Sequence, residues 1–184
     1  MAYDALAIAN YFLDKAEKEG KSLTPMAVQK LTYFAHGWYL ALMDQPLINQ
    51  RVQAWDYGPV IAELYHEFKD FGKDPITRKA VERKFEDSDE YVSLGGGRLV
   101  EPTIPPGPEH GLVRSFLDRV WNVYGGFTAI QLSNLTHQDD EPWTKARQQN
   151  PVGTRYAIID DELIKASFKA KAQANVARRE PAQV

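Results

Sequence analysis

The chain has 184 residues, 43% of them apolar, no cysteine and a formal net charge of −3. That length suits one domain with a real core, and the absent thiols exclude disulfides, Cys-ligated zinc and a thiolate nucleophile. Without a long apolar run or a basic secretory start, the expectation is a cytoplasmic protein with no membrane partner, and a pI near 5.8 argues against a nucleic-acid partner.

Residues 4–19 read as an amphipathic helix, with Asp4 as N-cap and Leu6, Ala9, Phe12, Leu13 and Ala16 on one face. Thr24-Pro25 supplies an N-cap and a first-turn proline for a second helix over about 25–43. Its stripe of Val28, Leu31, Phe34, Ala35, Trp38 and Leu42, with Tyr33 and Tyr39 beside it, covers more than half the circumference. Such a helix belongs at the centre of a fold. Gly37 inside it costs about 1 kcal/mol against Ala, so another element is expected to approach closely there.

The stretch Ala54-Trp55-Asp56-Tyr57-Gly58-Pro59-Val60 starts with the alternation of a short strand and then breaks at Gly58-Pro59. Pro59 fits the first position of a third helix carrying Val60, Leu64 and Phe68 and stopping at Gly72. The sequence thus predicts a strand-to-helix corner with two aromatic anchors.

From 73 to 101 the pattern weakens. Gly95-Gly96-Gly97 separates Tyr91-Val92-Ser93-Leu94 from Arg98-Leu99-Val100, which suits a loose hairpin. Four prolines between 102 and 108 interrupt regular structure. A fourth helix over about 109–124 places Leu112, Phe116, Leu117, Val120, Val123 and Tyr124 inward. Thr128 and Gln131 form a capping box for a fifth helix, with Phe127 in the staple position. Pro142-Trp143 opens a short sixth helix capped by Asp140 or Glu141, and Asp160 caps a last one with Leu163, Ile164 and Phe168 inward. From about Lys169 the apolar face fades, so residues 169–184 are expected to form a flexible, weakly basic tail.

Few residues suggest chemistry. His66-Glu67 lacks the second histidine of a zinc helix, since Asp70 stands in its place. Gly95-Gly96-Gly97 lacks the lysine and helix of a phosphate loop, and no serine sits in a nucleophile elbow. The densest polar set is His137, Asp139, Asp140 and Glu141, between a helix end and Pro142. It serves either as capping at two helix termini or as a metal or acid–base site, and the second option is the alternative reading, a hydrolase.

Three groups of residues together resemble one family: Gln29-Lys30-Leu31-Thr32-Tyr33-Phe34-Ala35-His36-Gly37-Trp38, then Ala54 to Val60 with Leu64-Tyr65, then Leu135-Thr136-His137 with Glu141-Pro142-Trp143. Their order and spacing resemble the Panacea-domain, SocA-like antitoxins, which include phage-associated GepA-like proteins. The resemblance covers residues 6 to 168 and is weakest over 73–108, the candidate stretch for partner choice. It implies a non-enzymatic protein, without cofactor, that neutralises a cognate toxin by direct binding. Delivery of the toxin to a cellular protease is the mechanism it implies for at least one member.

The expected fold is α+β and predominantly α-helical, a single domain over 1–168 with about six helices and a small β element before the third. Tyr39, Tyr57, Tyr65 and His66 are the candidate partner-binding residues, because their rings carry both apolar area and a polar tip. Trp38, Trp55, Gly58, Pro59 and Trp143 are the candidate structural anchors.

Overall fold

A computed structural model describes residues 2–84, 97–149 and 156–179. Its helices are α1 (Ala5–Lys18), α2 (Pro25–Met43), α3 (Ala62–Phe68), α4 (Gly111–Tyr124), α5 (Ala129–Leu135), α6 (Pro142–Gln149) and α7 (Asp161–Arg179). Its strands are β1 (Val52–Trp55), β2 (Gly58–Ile61), β3 (Glu82–Lys84), β4 (Arg98–Val100) and β5 (Ala157–Ile159). The fold is α+β and predominantly helical, with seven α-helices among the described residues, as many as the helical segments read along the sequence and one above the round figure of six. None of them is long and apolar enough to cross a membrane.

Helix α2 is the axle. Thr24 caps it by accepting from the Ala27 amide, and Pro25 occupies the first turn. From Ala27 to Gly37 every residue is buried, because α1, α4, α5, α7 and the β2–α3 segment all pack around it. The close approach expected at Gly37 is made by Phe168 of α7. That ring also meets Tyr33, Phe34 and Trp38 edge-on. Helix α1 begins at the Asp4 cap, whose carboxylate accepts from the Leu6 amide, and sends Ile8, Ala9, Phe12 and Leu13 into the same core. Buried Asn10 ties down the 73–108 region: its amide donates to the Ala80 and Pro102 carbonyls and accepts from the Ala80 N–H.

The corner after β1 differs from expectation. Pro59 does not start a helix; it lies in β2, which pairs antiparallel with β1 through Trp55↔Gly58, Ala54↔Pro59 and Val52↔Ile61. The chain therefore makes a hairpin turn at Asp56-Tyr57, and α3 begins only at Ala62. Pro59 is tolerated because β2 is an edge strand, where a missing N–H breaks no central ladder. On the other side of β1 lies β5, antiparallel with Val52↔Ile159 and Ala54↔Ala157, giving the order β2-β1-β5. Val52, Ala54, Ile61 and Ile159 form the buried face of this sheet.

Other departures have local causes. In α4 the inward set is Val113, Phe116, Leu117, Val120 and Trp121, whereas Leu112 and Val123 are exposed. Phe116, Leu117 and Val120 are inward as expected, and the buried face widens toward Trp121, which stacks on Phe12 and donates its indole N–H to Glu19, at 2.7 Å. Strand β4 pairs with β3, Lys84↔Arg98 to Glu82↔Val100; the expected hairpin partner 91–94 lies outside the described residues. Helix α7 continues past Lys169 to Arg179, and Lys169 and Lys171 reach Asp44 and Glu141.

Candidate functional site

The β1–β2 hairpin is held from beneath by side chains of two helices, α2 and α6, with the segment that follows α5 beside them. Lys30 of α2, 2% exposed, donates its Nζ protons to the carbonyls of Tyr57 and Pro59, each at 3.1 Å. Burial without a carboxylate partner lowers the Lys30 ammonium from its usual range to about 7. Gly58, between those carbonyls, has φ of +110°, and a Cβ there would run into Lys30, His137 and Thr136. One residue earlier on α2, Gln29 closes the free edge of β2: its amide donates to the Ile61 carbonyl at 2.9 Å and accepts the Ile61 N–H at 3.0 Å. A side-chain amide thus substitutes for a neighbouring strand.

Helix α6 completes the clamp. Trp143 of α6 donates its indole N–H to the Trp55 carbonyl at 2.7 Å. Its ring lies 4.2 Å from that of His137, which follows α5 and bonds the Ser133 carbonyl at 2.7 Å. Arg147 of α6 pairs with Asp56 in the turn at 3.0 Å. The three sequence groups that carried the family resemblance therefore meet at one hairpin.

Above the clamp the hairpin is open. Tyr57 is 80% exposed and Tyr65 42%. Trp55 is half-buried, with Tyr65 at 4.7 Å on one side and Tyr156 at 4.8 Å on the other. His66 is exposed and meets Tyr65 edge-on. Between the hairpin, α3 and the start of α2 runs a groove of about 510 Å³ lined by Met26, Trp55, Tyr57, Val60, Tyr65 and Tyr156, with Lys30 and Lys69 also at its walls.

Three of the four partner-binding candidates, Tyr57, Tyr65 and His66, thus share one face. Tyr39 is elsewhere: it is half-buried against Phe116 of α4, rings 5.1 Å apart. Of the anchors, Gly58 and Pro59 are buried, and Trp38 is half-buried, bonded to the Tyr124 hydroxyl at 2.8 Å. Trp55 belongs to the rim of the open face rather than to the core. The sequence reading missed Tyr156 and Met26 in the groove, and Gln29 and Lys30 beneath the hairpin. The signal for Lys30 was present, a lone cation inside an apolar stripe.

The polar set of the alternative reading does not converge. His137 faces Trp143 and Ser133, Asp139 and Asp140 are exposed, and Glu141 is 2% exposed with Lys171 at 2.5 Å. Among the described residues no group of three or more His, Asp or Glu could hold a metal ion.

Residues 28–144, from α2 to the start of α6 and so spanning the clamp and hairpin, match the family described as "Antitoxin SocA-like, Panacea domain". The chain belongs to that family. It is also similar to antitoxin SocA of Caulobacter vibrioides (strain NA1000 / CB15N), 31% identical over 169 residues, which cover 90% of this chain and 82% of that protein. No solved structure matches. Since α1 and α7 both fall wholly outside the family match yet pack on α2, the matched segment shares its core with both.

Proposed function

We propose that this chain is an antitoxin that neutralises a toxin protein by binding it directly through the aromatic face of the β1–β2 hairpin, without catalysis. The observation that carries the reading is the asymmetry of the hairpin. Its inner side is tied by Lys30, Gln29 and Trp143, while its outer side leaves Tyr57 80% exposed beside Tyr65, Trp55 and Tyr156. Tyrosine and tryptophan dominate the centres of protein interfaces, and a rigid support lowers the entropy lost on docking. A masking interface buries on the order of 1,200–2,000 Å² in total, so the contact must extend from the hairpin onto α3 and the groove. Docking is the first step of the reading, and handover of the bound toxin to a cellular protease is the step that would follow it in a proteolytic adaptor.

The test is co-expression with the neighbouring small open reading frame. Growth arrest by that product alone, relieved by this chain and accompanied by a one-to-one complex, is the expected result. Rescue without a complex would overturn the masking mechanism.

A further inference from the structure

We infer that the β1–β2 hairpin is a pH-responsive element: when Lys30 takes up a proton, the hairpin lifts locally while the helices beneath it stay packed. Lys30 is 2% exposed, and its Nζ donates to the Tyr57 and Pro59 carbonyls on either side of Gly58. A neutral amine has the two N–H groups that these carbonyls need. An ammonium adds a full charge, which two carbonyl dipoles do not cancel, and no carboxylate pairs with Lys30 among the described residues. Burying that charge is costly, so the closed hairpin fits the neutral form.

The attachments decide what gives way. Helix α2, which carries Lys30, is enclosed by α1, α4, α5 and α7. Strand β2 lies at the edge of its sheet, held by the β1 ladder, by Gln29 at Ile61 and by Lys30 itself. Lys30 also lines the groove, so a small movement of the hairpin brings water to Nζ without opening the core. That movement displaces Tyr57 in the turn and reshapes the aromatic face, whether or not the face docks a toxin.

Other ionisable groups face the same region. Asp56 and Arg147 pair across the turn at 3.0 Å, and His137 lies beneath Gly58. Lys69 and the phenols of Tyr57, Tyr65 and Tyr156 line the groove, while Glu63 and His66 lie on the exposed side of α3. None of them shares the Lys30 position between the two carbonyls. Lys30 titrates at about 7 with the hairpin closed, against an ordinary 10.5. Between those values the open form holds a proton that the closed form has released. The open fraction therefore grows as pH falls through that interval and levels off below about 7.

The test is amide hydrogen exchange on the full chain from pH 6 to 9.5, each rate divided by the intrinsic rate at that pH. The β2 amides should be less protected than those of Leu31 to Ala35 in α2 at every pH, which marks a local opening. Their protection should fall by up to about tenfold for each unit that pH is lowered toward 7, and then level off. Equal protection in β2 and α2 would make the opening global. Lower protection in β2 without a pH slope would mean that opening does not protonate Lys30. Either result, seen in the parent protein alone, overturns the inference. Variants assign the group. Lys30→Met should remove the β2 slope, whereas His137→Gln and His66→Gln should keep it; a slope that survives Lys30→Met, or vanishes with either histidine, would overturn the assignment to Lys30.

Discussion

The ring of Phe168 fills the notch left by Gly37, where a Cβ would stand 2.5 Å from two of its carbons. Helix propensity favours Ala over Gly by about 1 kcal/mol, so Gly37→Ala would stabilise a free helix. In the folded chain the methyl must displace a fully buried ring that also packs on Tyr33, Phe34 and Trp38. Over-packing of this kind costs ~1–3 kcal/mol and outweighs the propensity gain. The urea midpoint should fall; a raised midpoint would show that the α2–α7 contact yields easily.

How much of this was legible follows from where the information lies. Both ends of α2 and the start of α1 could be read, since Asp4, Thr24 and Pro25 act within one turn of their own position. Gly37 was legible as a contact, though not Phe168 as its partner, 131 positions away by numbering. The hairpin was misread because Gly58-Pro59 is equally good at a helix start and in an edge strand. Only the pairing with β1 and the Gln29 amide on Ile61 decide between them. Strand β5 has three residues and no periodicity of its own; β1 makes it a strand. At the site, Tyr57 and Tyr65 were visible as polar-tipped aromatics near a turn. Tyr156 reaches the same face only through the β5 pairing, and Tyr39 lies apart from it because its ring packs on Phe116 of α4, a contact between distant positions that no local pattern carries.

Lys30 gives the fold a pH dependence whose sign is fixed by burial. Its ammonium titrates at about 7 in the folded chain and in its ordinary range, near 10.5, when unfolded. Between those values the unfolded chain holds a proton that the folded chain has released, so stability rises with pH across that window and is lost as pH falls through about 7. A neutral amine still has two N–H groups, enough for the Tyr57 and Pro59 carbonyls. Lys30→Met should therefore be less stable than the parent and should flatten the rise in urea midpoint between neutral and mildly alkaline pH. The series must stop short of the phenol range, because burial raises Tyr33 and Tyr124 and would make stability fall again. An equal rise in both proteins would show that another group is responsible.

Trp143→Phe isolates one hydrogen bond of the clamp. Phenylalanine keeps an aromatic ring against His137 but cannot donate to the Trp55 carbonyl. Leaving that carbonyl without its donor should cost ~1–3 kcal/mol. Because the bond supports the strand that carries Trp55, its loss should also weaken toxin binding severalfold. Melts and titrations on the same preparation check both. Lower stability with unchanged binding would mean that the hairpin's position does not matter for docking.

The docking face itself is tested by separating binding from folding. Tyr57 is 80% exposed and no ring among the described residues stacks on it, so Tyr57→Ala should change stability by no more than ~0.5 kcal/mol. Tyr65→Ala removes a tilted ring contact with Trp55 at 4.7 Å and should cost somewhat more, ~0.5–1.5 kcal/mol. If these rings form the centre of an interface, each truncation should weaken toxin binding by ~2 kcal/mol or more, roughly thirtyfold. Tyr39→Ala provides the opposite pattern. Its ring packs on Phe116, away from the groove, so it should lower the melting temperature while leaving affinity nearly unchanged. Calorimetric titration against the toxin, beside a thermal melt of each variant, reads both axes. Full affinity in both Tyr57→Ala and Tyr65→Ala would place the interface on another face, and a large loss in Tyr39→Ala would point to the α2–α4 side.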